Sequence, residues 1–226
     1  MAQLYMIGIA HSDPYGPRRL DKMLHHIRPE AISVEMTQKG AVTAQRFHEM
    51  TLAIASDPAQ KEAFLYNMER AGFNRETVEA VFVPDCNSVV GFEWLVPKLY
   101  WEPRGVDVYA VDTERARTGI AGTETEYLMK LPFRELTAEL EKWYRTVAEG
   151  KPPENLSRVV GDFVDSDAAV ERRLRDLCAA DYGIVVHVGG MIHSFTRYPG
   201  NRRNLYQRLS DLRPKKFGLH EADSLV

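Results

Sequence analysis

Two histidines and two glutamates carry the chemistry this sequence can do. His11 ends an apolar run, Leu4-Tyr5-Met6-Ile7-Gly8-Ile9-Ala10, and so closes a Gly-x-x-His. His193 closes a matching one, Gly190-Met191-Ile192-His193, after a second run, Ile184-Val185-Val186-His187-Val188. Glu35 follows Ala31-Ile32-Ser33-Val34, and Glu93 stands in Phe92-Glu93-Trp94-Leu95-Val96. Imidazole nitrogen and carboxylate oxygen are the usual ligands of catalytic zinc and related first-row divalent ions, which keep one position for water. Such an ion acidifies its water and polarises a carbonyl, while a spare carboxylate serves as general base. A His–Glu pair can also do acid–base work on water without an ion. Both versions predict hydrolysis. The set expected to hold a divalent metal (Mn, Co or Zn) is His11, His193, Glu35 and Glu93, the two glutamates being ligand and general base in unassigned order.

Other polar residues have plainer readings. His187 lies inside an apolar run and reads as structural. Glu93 near a helix start would also complement the macrodipole. Asp112 opens a turn with Thr113, where an Asx cap competes with ligation. Asp13 either orients the His11 imidazole or starts the turn Ser12-Asp13-Pro14-Tyr15-Gly16-Pro17. Cys86 has no legible partner base, and His25, His26 and His48 on helical patterns read as surface. Gly189-Gly190 alone is a weak phosphate signal. Dinucleotide, Walker, nucleophile-elbow and His-Glu-x-x-His motifs are absent.

The elements that must position these residues follow from periodicity. The two charge-free runs read as strands buried on both faces of an α/β sheet, where ligands sit at the carboxyl ends of strands. A short amphipathic helix, 18–27, joins the first strand to a strand at 31–36. That βαβ unit is expected to be parallel, with Glu35 leaving the same edge as His11 from a neighbouring strand. Helical patterns follow at 41–53 and 58–70, then a loop at 84–88, the helix carrying Glu93, and a third strand from 106 ending at Asp112. Helices at 123–149 and 157–180 read as an antiparallel αα-hairpin inserted at about 123–180, a lid or a homodimer arm. A helix at about 201–212 and a strand at 216–220 finish the chain. The expected fold is one α/β domain over 1–226, with a mixed, mostly parallel central sheet flanked by helices.

Bulk properties narrow the function. The 226 residues are 44% hydrophobic and 27% charged with a net charge of −3, which gives no pull toward nucleic acid or anionic membrane. Arg197 to Lys216 is basic and reads as a solvated face or an anion-recognising rim. Two cysteines without paired spacing and no apolar leader fit a cytoplasmic protein. The expected partner is a peptide or small-molecule substrate.

The chain resembles the TraB/PrgY and Tiki superfamily, more distantly related to erythromycin esterases and the haem-binding ChaN proteins. The resemblance rests on Gly8-Ile9-Ala10-His11, on Ile32-Ser33-Val34-Glu35, and on Gly91-Phe92-Glu93 followed by Val108-Tyr109-Ala110-Val111-Asp112. It continues through Glu171-Arg172 and closes on Gly190-Met191-Ile192-His193. It implies a Tiki/TraB-type fold and a divalent-metal-dependent peptidase or amidase using both histidines and the glutamates. Arg172 would serve as an oxyanion or substrate-carboxylate partner. The segment Ser194-Phe195-Thr196-Arg197-Tyr198 departs from the family's glycine–proline-rich turn. Two alternatives stand beside it: a non-catalytic module holding a haem-like ligand through Tyr15, His11 or Tyr198, and a metal-free His–Glu esterase.

Overall fold

The computed structural model describes residues 1–82, 90–112, 126–151, 156–198, 200 and 202–225, the side chains of 156–165 aside. The expected loop at 84–88 with Cys86, and Thr113, lie outside the described residues. Strands β1 (Gln3–Ile9), β2 (Ala31–Val34), β3 (Asp107–Ala110), β4 (Ile184–Gly190) and β5 (Lys215–Gly218) form a single sheet in the order β3-β2-β4-β1-β5. Every pair is parallel, so the mostly parallel sheet that was expected is wholly so among the described strands. The two longest apolar runs, β1 and β4, take inner positions, covered on both faces, as unbroken hydrophobic strands require.

Alternation sorts the strand side chains into two cores. Ile7, Ile9, Ile32, Val34, Val186 and Val188 feed one, and Leu4, Met6, Ala31 and Val185 the other. Because β4 lies between β1 and β2, the first βαβ unit skips a strand and Glu35 is not on His11's neighbour. The two Gly-x-x-His turns instead leave adjacent strands. Gly8 pairs with Gly189 and Ile9 with Gly190, so the second motif sits one residue further along.

Helix α1 (Gly16–Ile27) lays Leu20, Met23, Leu24 and Ile27 on the first core, as its 3.6-residue spacing dictates. It ends at Arg28, in the left-handed region at φ 57°. Helices α2 (Gln38–Ser56) and α3 (Pro58–Arg70) part at Asp57, whose carboxylate accepts from Ala59 N and Gln60 N. Next come α4 (Arg75–Phe82), α5 (Phe92–Val96), a π turn at Pro97–Trp101 and a 3-10 turn at Glu102–Arg104.

The expected αα-hairpin opens out. Helix α6 (Phe133–Ala148) sends Leu136, Leu140, Tyr144 and Val147 into the first core. Helix α7 (Leu156–Ala179) sends Val170, Leu174 and Cys178 into the second, on the other face of the sheet. Each helix has one apolar stripe, and each stripe is spent on a sheet face rather than on the other helix. Residues 126–130 are also helical, short α8 (Met191–Phe195) and α9 (Leu205–Arg208) follow β4, α9 opening with a capping box between Asn204 and Gln207, and 3-10 turns lie at Ser210–Leu212 and Leu219–Ser224. No described helix is long and apolar enough to cross a membrane.

Candidate functional site

The site is at the carboxyl ends of β1, β2 and β4. After β1 the backbone turns, with Asp13 N donating to Ala10 O. Asp13 is fully buried and fastens this turn. Its carboxylate accepts from Tyr15 N, from the Tyr144 hydroxyl of α6 and from Arg19, while the Tyr144 oxygen accepts from Ala10 N. Asp13 therefore starts the turn and holds it without touching the imidazole. Arg19 also pairs with Glu141 and Asp223. His11 stands half exposed on this support, its Nδ1 3.0 Å from Glu93 Oε1.

Glu93 is 6% exposed on α5, and Gly91 immediately before that helix has φ 76°. A Cβ at Gly91 would meet the Ala44 Cβ of α2 at 2.7 Å, so only glycine lets α5 approach α2 this closely. Glu93 Oε2 is buried without a hydrogen-bond partner among the described residues.

On the other side of the sheet end, Glu35 N donates to Val188 O at 2.8 Å, which aims the carboxylate across β4. Its Oε2 accepts from Gly190 N at 2.8 Å, and its Oε1 lies 3.0 Å from His193 Nε2. His193 Nδ1 lies 2.5 Å from Asp167 Oδ1 of α7, and the Tyr198 hydroxyl 3.2 Å from that same nitrogen. Burial alone would push this imidazole toward its neutral form. The two carboxylates outweigh burial and hold its pKa up at about 10. His193 is thus an imidazolium donating to Glu35 and Asp167. Burial raises the Asp167 carboxyl against the pull of His193, and raises the Tyr198 phenol with Asp167 beside it.

His187 lies beneath. Its Nδ1 is 3.0 Å from Ser33 Oγ, its Nε2 has no hydrogen-bond partner among the described residues, and burial lowers its pKa to about 4. It is a neutral structural histidine. A Cβ at Gly189 would stand 2.7 Å from Glu35 Oε2 and 2.9 Å from His187 Nε2. The glycine pair thus makes room for these side chains, which accounts for it without a phosphate.

The two His–carboxylate pairs meet at Gly190. A Cβ there would lie 3.8 Å from both His11 Nε2 and Glu35 Oε2, and 3.2 Å from His193 Cδ2. His11 and Glu93 also line a cleft of about 560 Å³ between α2, α4 and the chain leading into α5.

The four expected residues do converge, but as two pairs. Among the described residues no group of three or more His, Cys, Asp or Glu side chains is placed to hold a metal ion. His193 has each ring nitrogen within reach of a carboxylate, Nε2 on Glu35 and Nδ1 on Asp167, so the residues expected to hold Mn, Co or Zn, His11, His193, Glu35 and Glu93, stand as two His–carboxylate pairs rather than as one four-ligand group. Arg172 is exposed on α7, and the residue that helix turns inward to the site is Asp167. Asp112 is buried and accepts from the Ser166 hydroxyl. His48 is buried rather than on the surface, and burial lowers its pKa. Of the other named contacts, Tyr198 sits buried against His193, and Tyr15, 45% exposed, packs edge-on against Phe133.

Sequence reasoning missed Asp167 as a site residue, and named Tyr198 only as a contact for a haem-like ligand. Asp167 did leave a signal: it shares the helical spacing of Val170 and Leu174, an acid on an apolar stripe. Comparison of the chain with protein-family models, curated proteins and solved structures finds no match.

Proposed function

We propose that the protein hydrolyses an ester, amide or peptide bond, with His11 as general base and Glu93 as the carboxylate that orients it. The observation that carries this reading is the His11 Nδ1 to Glu93 Oε1 contact of 3.0 Å at the wall of an open cleft. An ionised carboxylate only accepts, so Nδ1 carries the proton and Nε2, toward Gly190, is the basic nitrogen. Nε2 takes a proton from water as that water attacks a carbonyl, and returns it to the leaving group when the tetrahedral intermediate collapses. Glu93 stabilises the imidazolium formed in between, an arrangement worth about 10²–10⁴-fold in rate.

Glu35, held by His193 and Gly190 N, adds a negative charge on the far side of the same imidazole. The buried Glu35–His193–Asp167 unit keeps the second turn rigid. Two Gly-x-x-His turns on adjacent parallel strands are consistent with kinship to the TraB/Tiki superfamily. The His–Glu pairing favours a metal-free mechanism, as in the erythromycin esterases, over a metallopeptidase.

The test assays purified protein on p-nitrophenyl acetate and on acyl p-nitroanilides, with and without EDTA. Turnover that resists EDTA and is lost in His11→Ala is expected. Activity that needs added Mn, Co or Zn would instead favour the divalent-metal-dependent hydrolase, and no turnover of any substrate would end the hydrolase reading.

A further inference from the structure

We infer that the substrate is an acyl compound whose acyl group is a long apolar chain, housed in the cleft beside His11. This rests on the hydrolase reading and extends it to substrate class. Most of the cleft wall is apolar, with Met36, Phe47, Val81, Phe82, Val90 and Met129 facing a smaller polar part that includes Thr37, Lys39 and Thr43. Phe47 and Phe82 meet edge to face with centroids 5.9 Å apart, which closes one side with a fixed aromatic surface. At about 560 Å³ the cleft is in the range that encloses a small organic ligand.

Its chemistry selects among occupants. A sugar or a peptide backbone brings a row of donors and acceptors that need partners, and burying them against carbon costs free energy. An alkyl or aryl chain has no such requirement and is drawn in by the apolar area it covers. The His11–Glu93 pair stands in the same wall, so a carbonyl at the head of the chain comes to rest beside that pair.

The experiment measures kcat/KM for p-nitrophenyl esters from acetate to octanoate, together with calorimetric binding of the matching n-alkanoates. Each methylene that enters the cleft is expected to raise kcat/KM and affinity about fourfold until the cleft is filled. Thr43→Trp places an indole in the cleft from an exposed position on α2, whose hydroxyl donates only to Lys39 O. It is expected to bring the octanoate-to-acetate ratio down toward one while the thermal midpoint holds. A wild-type series that is flat in both turnover and binding, or a slope that survives Thr43→Trp, overturns the inference. Acetate turnover without a chain-length slope retains the hydrolase and removes the acyl pocket. Chain-length-dependent alkanoate binding without turnover of any ester retains the pocket and removes the hydrolase.

Discussion

His11 and Glu35 approach each other across Gly190, with His11 Nε2 and Glu35 Oε2 each 3.8 Å from the point where that residue's Cβ would stand. A methyl group on Gly190 would touch both side chains at van der Waals distance. Gly190 has φ −55° and ψ 132°, a conformation alanine adopts freely. Gly190→Ala is therefore expected to fold with a near-native thermal midpoint and to lose about 10²-fold in kcat, because a methyl in van der Waals contact with His11 Nε2 takes the space through which a water would reach that nitrogen. Unchanged kcat in a folded Gly190→Ala protein would show that the space between the two side chains is not used.

Glu93→Gln keeps the shape of the acceptor and removes its charge. kcat is expected to fall about 10²-fold or more with KM little changed, since the lost interaction grows only as the imidazolium forms. Arg172→Ala, on an exposed position, should leave both constants where they were. A strong effect of Arg172→Ala with none from Glu93→Gln would reverse the assignment of roles.

Stability against pH should peak near neutrality, because two buried histidines are shifted in opposite directions. His193 keeps its proton to about pH 10 when folded and to its ordinary 6.5 when unfolded. The native state then binds more protons across that window, so this contribution is full below 6.5 and is lost as pH rises toward 10. His187 is held near 4. There the unfolded chain takes up the extra proton, and stability drops as pH falls from 6.5 toward 4. Urea midpoints from pH 4 to 10 should show the alkaline limb flattened in His193→Gln and the acid limb flattened in His187→Asn. His193→Gln should also cost about 3–5 kcal/mol, since it strands two buried carboxylates. Limbs that keep their slope in the variants would contradict these protonation states.

Tyr144→Phe removes one hydroxyl that both donates to Asp13 and accepts from Ala10 N in the buried support of the first turn. Ala10 N is then left without its acceptor, while Asp13 keeps Arg19 and Tyr15 N, for a cost of about 1–3 kcal/mol in chemical denaturation. Ala10 immediately precedes His11, so kcat should fall by more than KM rises. Destabilisation with wholly normal kinetics would mean that the turn keeps its geometry without the tyrosine.

Much of the site was legible in the linear pattern. Apolar runs without charge could only be inner strands, their ends had to carry His11, Glu35 and His193, and α1 announced itself by an apolar stripe behind Pro17. These are local properties: a side chain's own periodicity reports which face it shows. Its partner on that face depends on packing between segments far apart in the chain. Two equal apolar stripes in α6 and α7 look alike in sequence whether they face each other or opposite sides of a sheet, and only the sheet's two cores told them apart. The insertion of β4 between β1 and β2 has the same origin, since parallel pairing is set by which helices cover which face. That placement put Glu35 against His193, brought Asp167 and Tyr198 in behind it, and left His11 to Glu93. The residue types were therefore written in the chain, whereas their pairing into two His–carboxylate couples came from the competition of long-range contacts for one sheet edge.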